Sequence, residues 1–201
     1  MFKVDFRNSL EKEFFLKNTT EVAKNLIGKS LVKQVGNGSY VAGLIVETEA
    51  YLSKNDLSSH SACGLTLRNA PMFEEGGILY VYKIYGLHHC INIVTEVKSR
   101  GCAVLLRALE PFAGLDIMIS NRNNKNIKML CKGPGNLAKA FDFSLDNNYN
   151  SLLEQKLFIQ KYKKIKPEEI GISTRVGSKK SSELPLRFYL KKSEYISGKI
   201  F

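Results

Sequence analysis

Residues 39–52 read "SYVAGLIVETEAYL", and whether this run is extended decides the fold. A strand sends alternate side chains to opposite faces. Extended, the run places Ile45, Glu47, Glu49 and Tyr51 on one face and Val46, Thr48, Ala50 and Leu52 on the other. A second apolar run, "SLVKQV" (30–35), precedes it across "GNG" (36–38), and Asn37-Gly38 is a strong hairpin signal.

Working outward, "NTTEVAKNLIG" (18–28) carries an apolar stripe of Val22, Ala23, Leu26 and Ile27. It predicts a helix capped by Thr19 or Thr20 and stopped at Gly28. The polar segment 53–77 is too long for a turn and is expected to be a functional loop with a short helix. "ILYVYKIYGLHHCINIVT" (78–95) predicts strand, tight turn at Tyr85-Gly86, strand, and "CAVLLRALEP" (102–111) a further strand. Helices are expected in "AGLDIMISNRN" and in "GPGNLAKAFDF" (133–143), where Pro134 stands near the start. "KLFIQK" and "LRFYLK" read as strands around a basic loop at 173–183. The expectation is one mixed α/β (α+β) domain over residues 1–201, with a curved antiparallel sheet, a protruding hairpin and surrounding helices. Residues 1–17 would form an N-terminal arm.

The chain has 201 residues, with 44% hydrophobic and 10% aromatic residues, enough for one well-cored domain. The opening "MFKVDFRNSLEKEFF" lacks a signal-peptide core, and no apolar run approaches the roughly 20 residues of a membrane-spanning helix. A soluble intracellular protein is expected. A net charge of +11 points to a polyanionic partner, although lysine-rich stretches such as "NRNNKNIK" also reflect composition bias. Cys63, Cys90, Cys102 and Cys131 are widely spaced with no C-x-x-C pair, so a metal site would need convergence in space, and reduced, partly buried thiols are expected.

Four groups of residues carry chemistry. Glu47 and Glu49 have three readings on spacing alone: an exposed strand end, a general base on a partly apolar face, or a pair holding a divalent metal. The hairpin puts Tyr82 and Tyr85 on opposite parities, and an aromatic at its tip is either a packed turn residue or a wedge for a duplex. Asn92 and Arg107 interrupt apolar strands and need partners, so they are candidates to converge on one pocket. Arg175, Lys179 and Lys180 form a charge run that is either solvated or in contact with phosphate.

"GLIVETEAYL", "SSHSA", "RNAPMF", "LYVYKIYGLHHCIN", "VLLRALEP", "LCKGPGNL" and "PLRFY" occur in an order that resembles the alkyladenine (3-methyladenine) DNA glycosylase family, from about residue 20 to about residue 190. The resemblance implies a cofactor-free, metal-free, monofunctional enzyme. It would act as a monomer on double-stranded DNA in a bacterial cytoplasm, at the nucleoid. Damaged purines of the 3-methyladenine, 7-methylguanine and hypoxanthine class would be flipped out and cut from their sugar by water. It implies Glu49 as the base that activates water, with Arg107 beside it. Tyr51 and His60 would stack on one face of the flipped base and Tyr82 on the other, and Asn92 would exclude the 2-amino group of guanine. Tyr85 would fill the gap in the duplex, with Ile84, Arg68, Asn69, Val176, Gly177, Lys179 and Lys180 as further DNA contacts. Ser53 and Leu87 depart from the family pattern. The alternatives are a metal-dependent nuclease using Glu47 and Glu49, or a non-catalytic nucleic-acid-binding module.

Overall fold

The computed structural model of the chain describes residues 4–36, 38–178 and 180–198; Asn37 and Lys179 lie outside the described residues. In chain order the elements are α1 (Lys12–Phe15), α2 (Thr19–Leu26), β1 (Ser30–Val35), β2 (Ser39–Tyr51), β3 (Leu79–Ile84), β4 (His88–Thr95) and β5 (Cys102–Ala113). There follow α3 (Leu115–Arg122), α4 (Ile127–Leu130), α5 (Pro134–Ala140), β6 (Leu153–Glu154), β7 (Leu157–Gln160), β8 (Ile170–Ser173) and β9 (Arg187–Leu190). The expected single mixed α/β architecture is observed. The strands form one antiparallel sheet in the order β3-β4-β5-β2-β1-β7-β6.

The 13-residue β2 organises the sheet. One edge pairs with β5 along most of its length. The other edge is shared, with β1 against residues 39–44 and β9 against Glu47, Thr48 and Glu49. That branching curls the sheet and brings β9 beside the two acids. The simple alternation of β2 does not survive intact. Its register against β5 shifts between Ile45 and Glu47, and again between Glu47 and Thr48, where Arg107 on β5 is left without an opposite residue. Bulges of this kind bend a strand and re-aim a side chain. Ile45 and Val46 consequently both sit in the main core, while Glu47, Glu49 and Tyr51 stay together on the site side.

The core lies between the sheet and the helices. It includes Val22 and Leu26 of α2, Ile45, Leu106, and Leu137 and Phe141 from the α5 region, all fully buried. Thr48 fastens α2 to β2 by donating its hydroxyl to the Ala23 carbonyl at 2.8 Å. The cap of α2 differs from the expectation. Asn18 accepts the Thr20 N–H, and the Thr19 hydroxyl instead donates to Glu96 at 2.6 Å, across to the end of β4. Segment 53–77 holds two short 3-10 turns, His60–Cys63 and Ala70–Phe73, rather than an α-helix. Among the described residues no helix is long and apolar enough to cross a membrane. Cys63 is exposed and the other three cysteines are buried; all four are free.

Candidate active site

Glu49 is completely buried, which no isolated carboxylate tolerates, and it is held by three donors. The Val176 N–H donates to Oε1 at 2.7 Å. The Tyr51 hydroxyl donates to Oε2 at 3.0 Å, and Arg107 Nη1 reaches the same oxygen at 3.3 Å. Burial pushes the Glu49 carboxyl above its ordinary value, and the opposing pull of Arg107, the Val176 N–H and the Tyr51 hydroxyl does not cancel it. A carboxylate whose pKa is raised in this way is a stronger base than a free one.

Arg107 is itself buried and uses its three nitrogens on three partners: Nε on Glu47 at 3.3 Å, Nη1 on Glu49, and Nη2 on the Ser197 hydroxyl at 3.1 Å. Glu47 also accepts from Arg187 Nε at 2.7 Å and from the Ser197 N–H at 2.6 Å. The two acids and two arginines therefore form one buried cluster, built from β2, β5, β9 and the segment around Ser197.

Next to Glu49, Tyr51 opens onto a small cavity of about 70 Å³, lined also by His60, Met72, Tyr80, Tyr82 and Asn92. Four of the residues predicted from sequence thus converge here, as does Tyr80, which the sequence did not single out. His60 Nδ1 shares a 2.9 Å hydrogen bond with the Tyr80 hydroxyl, whose pKa burial pushes up to about 12. Burial, with Arg68 nearby, holds His60 below the ordinary histidine value, so its ring is neutral at physiological pH. Asn92 is buried and donates to the Tyr80 carbonyl at 3.3 Å. The His60 and Tyr82 rings meet edge-to-face with centroids 4.6 Å apart. No open slot for a base lies between them.

The loop pair over the cavity is clamped by Asp56 and Arg175. Their side chains are fully buried and joined by two 2.6 Å bonds; Arg175 also donates to the Ala50 carbonyl and lies 4.5 Å over the Tyr51 ring. Burial drives the Asp56 carboxyl up, but the Arg175 bonds and the Leu52 and Ser58 N–H groups outweigh it and hold the group below its ordinary value. Arg175 is therefore neither solvated nor available to a phosphate, which corrects both sequence readings of it.

A wider cleft of about 410 Å³ adjoins the cavity at Ser58 and His60, with Arg68 and Lys180 on its rim. Beyond it stands the β3–β4 hairpin, where Tyr85 is 86% exposed and Leu87 79%. Tyr85 and Gly86 both have positive φ, +50° and +68°, the signature of a type I′ turn.

A model of the family described as methylpurine-DNA glycosylase matches residues 13–194. The chain belongs to the methylpurine-DNA glycosylase family. It is 43% identical over 190 residues to a protein of Chlorobium phaeobacteroides, covering 94% of this chain and 96% of that one. A relative from Methanoculleus marisnigri is 44% identical over 192 residues (94% and 98%), and one from Francisella tularensis 40% over 195 (96% and 100%). All three are provisionally named 3-methyladenine DNA glycosylase. Membership makes the chain an enzyme of the DNA N-glycosylase class.

Within this glycosylase the remaining predicted residues are spread unevenly. Ile84 is half-buried at the foot of the hairpin tip, while Val176 and Gly177 lie on the exposed loop that delivers the N–H to Glu49. Arg68 is exposed, yet it donates to the Lys83 carbonyl and lies 5.6 Å over Tyr82. The Asn69 side chain is buried and engaged with the Thr66 N–H and the His60 and Gly64 carbonyls, so it braces the His60 loop. Sequence reasoning missed Asp56, Arg187 and Ser197. Arg187 carried a signal, since it interrupts the apolar strand "LRFYL" as Arg107 interrupts "VLLRAL".

Proposed function

We propose that this protein removes damaged purines from duplex DNA, with Glu49 as the base that activates water. The observation that carries the reading is a buried carboxylate with a raised pKa, bonded to Arg107 and to Tyr51, which lines a cavity together with other aromatic rings. A base stacked in a duplex cannot be attacked, so the nucleotide must be extruded at a cost of a few kcal/mol, least for a damaged pair. An alkylated purine is cationic and electron-poor, so aromatic faces favour it over a normal base. It also leaves readily. The carboxylate deprotonates water and offsets the positive charge that develops on the sugar, as in glycoside hydrolysis.

In this reading Tyr85 stands in for the extruded base, Asn92 screens the purine edge, and Arg68, Lys180 and Lys179 meet phosphates. The contact between His60 and Tyr82 has a consequence. A base needs about 3.5 Å to a ring on each side, so a purine enters only when one of these rings swings away. The metal-dependent nuclease alternative finds no support in the geometry, because Glu47 and Glu49 both face arginines instead of converging on an open position.

The test is release of free methylpurine from alkylated duplex DNA in EDTA, comparing wild type with Glu49→Gln. The variant should lose about 10²-fold or more, the range of general-base catalysis. Equal rates would remove Glu49 from the mechanism.

A further inference from the structure

Glu47 has no assigned part in the chemistry, yet it is fully buried and accepts three hydrogen bonds. We propose that Glu47, together with Ser197, is a positioning residue that keeps Arg107 from closing a two-pronged grip on Glu49. The inference rests on the assignment of Glu49 as the base.

A guanidinium left alone with a carboxylate prefers a bidentate fork, two parallel N–H bonds to two oxygens. Arg107 does not form one with either acid. Glu47 claims Nε, Ser197 claims Nη2, and Glu49 receives Nη1 alone, at 3.3 Å and on one oxygen. The arrangement is held from behind. Arg187 binds Glu47 through Nε and the Ser197 carbonyl through Nη2 at 2.7 Å, and the Ser197 N–H returns to Glu47 Oε2. Ser197 thus fixes both arginines and one acid, and Gly198 beside it packs on Val176, whose N–H serves Glu49.

The chemical consequence concerns how fully Glu49 is neutralised. The charged and titratable groups facing it are Glu47 and Tyr51 from its own strand, Arg107 from β5, Cys90 from β4 and Arg175 from the loop over the cavity. Of these Arg107 is the strongest cation, and a bidentate grip would make the carboxylate a poorer base and occupy the oxygen edge a water needs. Sharing Arg107 with Glu47 leaves enough positive charge to keep the site folded and too little to quench Glu49. Glu47 adds a like charge that works in the same direction.

The experiment measures single-turnover release of methylpurine from dimethyl-sulfate-treated duplex DNA against pH for wild type, Glu47→Gln, Ser197→Ala and Glu49→Gln. Equilibrium binding of the same DNA is measured alongside. Glu47→Gln is expected to lower the rate about tenfold, short of the roughly 10²-fold that a 1 Å misplacement can cost. Its binding should stay within about twofold of wild type. The acidic limb of its profile should move to lower pH, because Arg107 is released to Glu49 and a like charge is removed. Ser197→Ala changes no charge and should move the limb the same way by less. If Glu47→Gln fails to fold, Ser197→Ala decides alone. General damage would lower the rate without moving the limb. A folded variant with the wild-type limb overturns the proposal. An inactive Glu49→Gln in the same experiment confines that failure to Glu47, whereas an active one removes the base assignment and this inference with it.

Discussion

Replacing Tyr85 by Asn should make the protein more stable and a worse enzyme. The hairpin turn is closed by the Leu87 N–H donating to the Ile84 carbonyl at 3.2 Å, and its two central residues sit at φ +50° and +68°. A side chain with a Cβ is disfavoured there by about 1–2 kcal/mol, which glycine escapes and asparagine partly escapes. Asn-Gly is the preferred pair for this turn. Little packing opposes the exchange. Tyr85 is 86% exposed, so the remainder of its surface is worth well under about 1 kcal/mol at 25 cal/mol/Å². The net gain is about 0.5–1 kcal/mol, or about 1–4 °C in Tm for a chain of this size. Thermal unfolding measures the first half, and single-turnover excision from duplex DNA the second, where a loss of about tenfold is expected if the ring replaces a stacked base worth about 1–3 kcal/mol. Tyr85→Phe should keep near-wild-type excision. A drop in Tm for Tyr85→Asn would show that the ring packs on its own protein. Unchanged excision would show that the strained tip does not enter DNA.

Asp56→Ala should cost about 3–5 kcal/mol, because it leaves a buried arginine uncompensated, while Asp56→Ala combined with Arg175→Met should cost less than the single change. Simple additivity in urea unfolding would refute the clamp. The pH dependence has a defined sign. The folded Asp56 carboxyl lies below its ordinary value, so its contribution is complete above the unfolded pKa and is lost as pH falls through the folded one. DNA affinity should fall with salt at a slope near −4.5 for about five neutralised phosphates, and Lys180→Ala should reduce the slope by about one. A flat salt response would mean that the basic surface serves another partner.

Most of the sheet was legible because strand periodicity and hairpin chemistry are local. "GNG" between two apolar runs and "YG" inside "YKIYGLHH" fixed where the chain turns, and both hairpins are present. Alternation put Glu47, Glu49 and Tyr51 on one side, and the demand of buried polar groups for partners singled out Arg107 and Asn92. What alternation could not supply was the double register shift that sends Ile45 into the core and turns Arg107 inward. A bulge depends on both strands, so neither sequence announces it alone.

The sequence by itself determined the main strands and helices and the family, and it nominated the candidate base, because each rests on short-range pattern or on ordered motifs. Tertiary structure decided the partners. Arg175 and Asp56 are 119 residues apart, and Ser197 and Glu47 are 150 apart. A basic residue in a charge run reads the same whether it ends in water or against a buried carboxylate. Only the folded chain, through desolvation and distance, makes Arg175 a clamp and Glu47 the acid that shares Arg107 with Glu49.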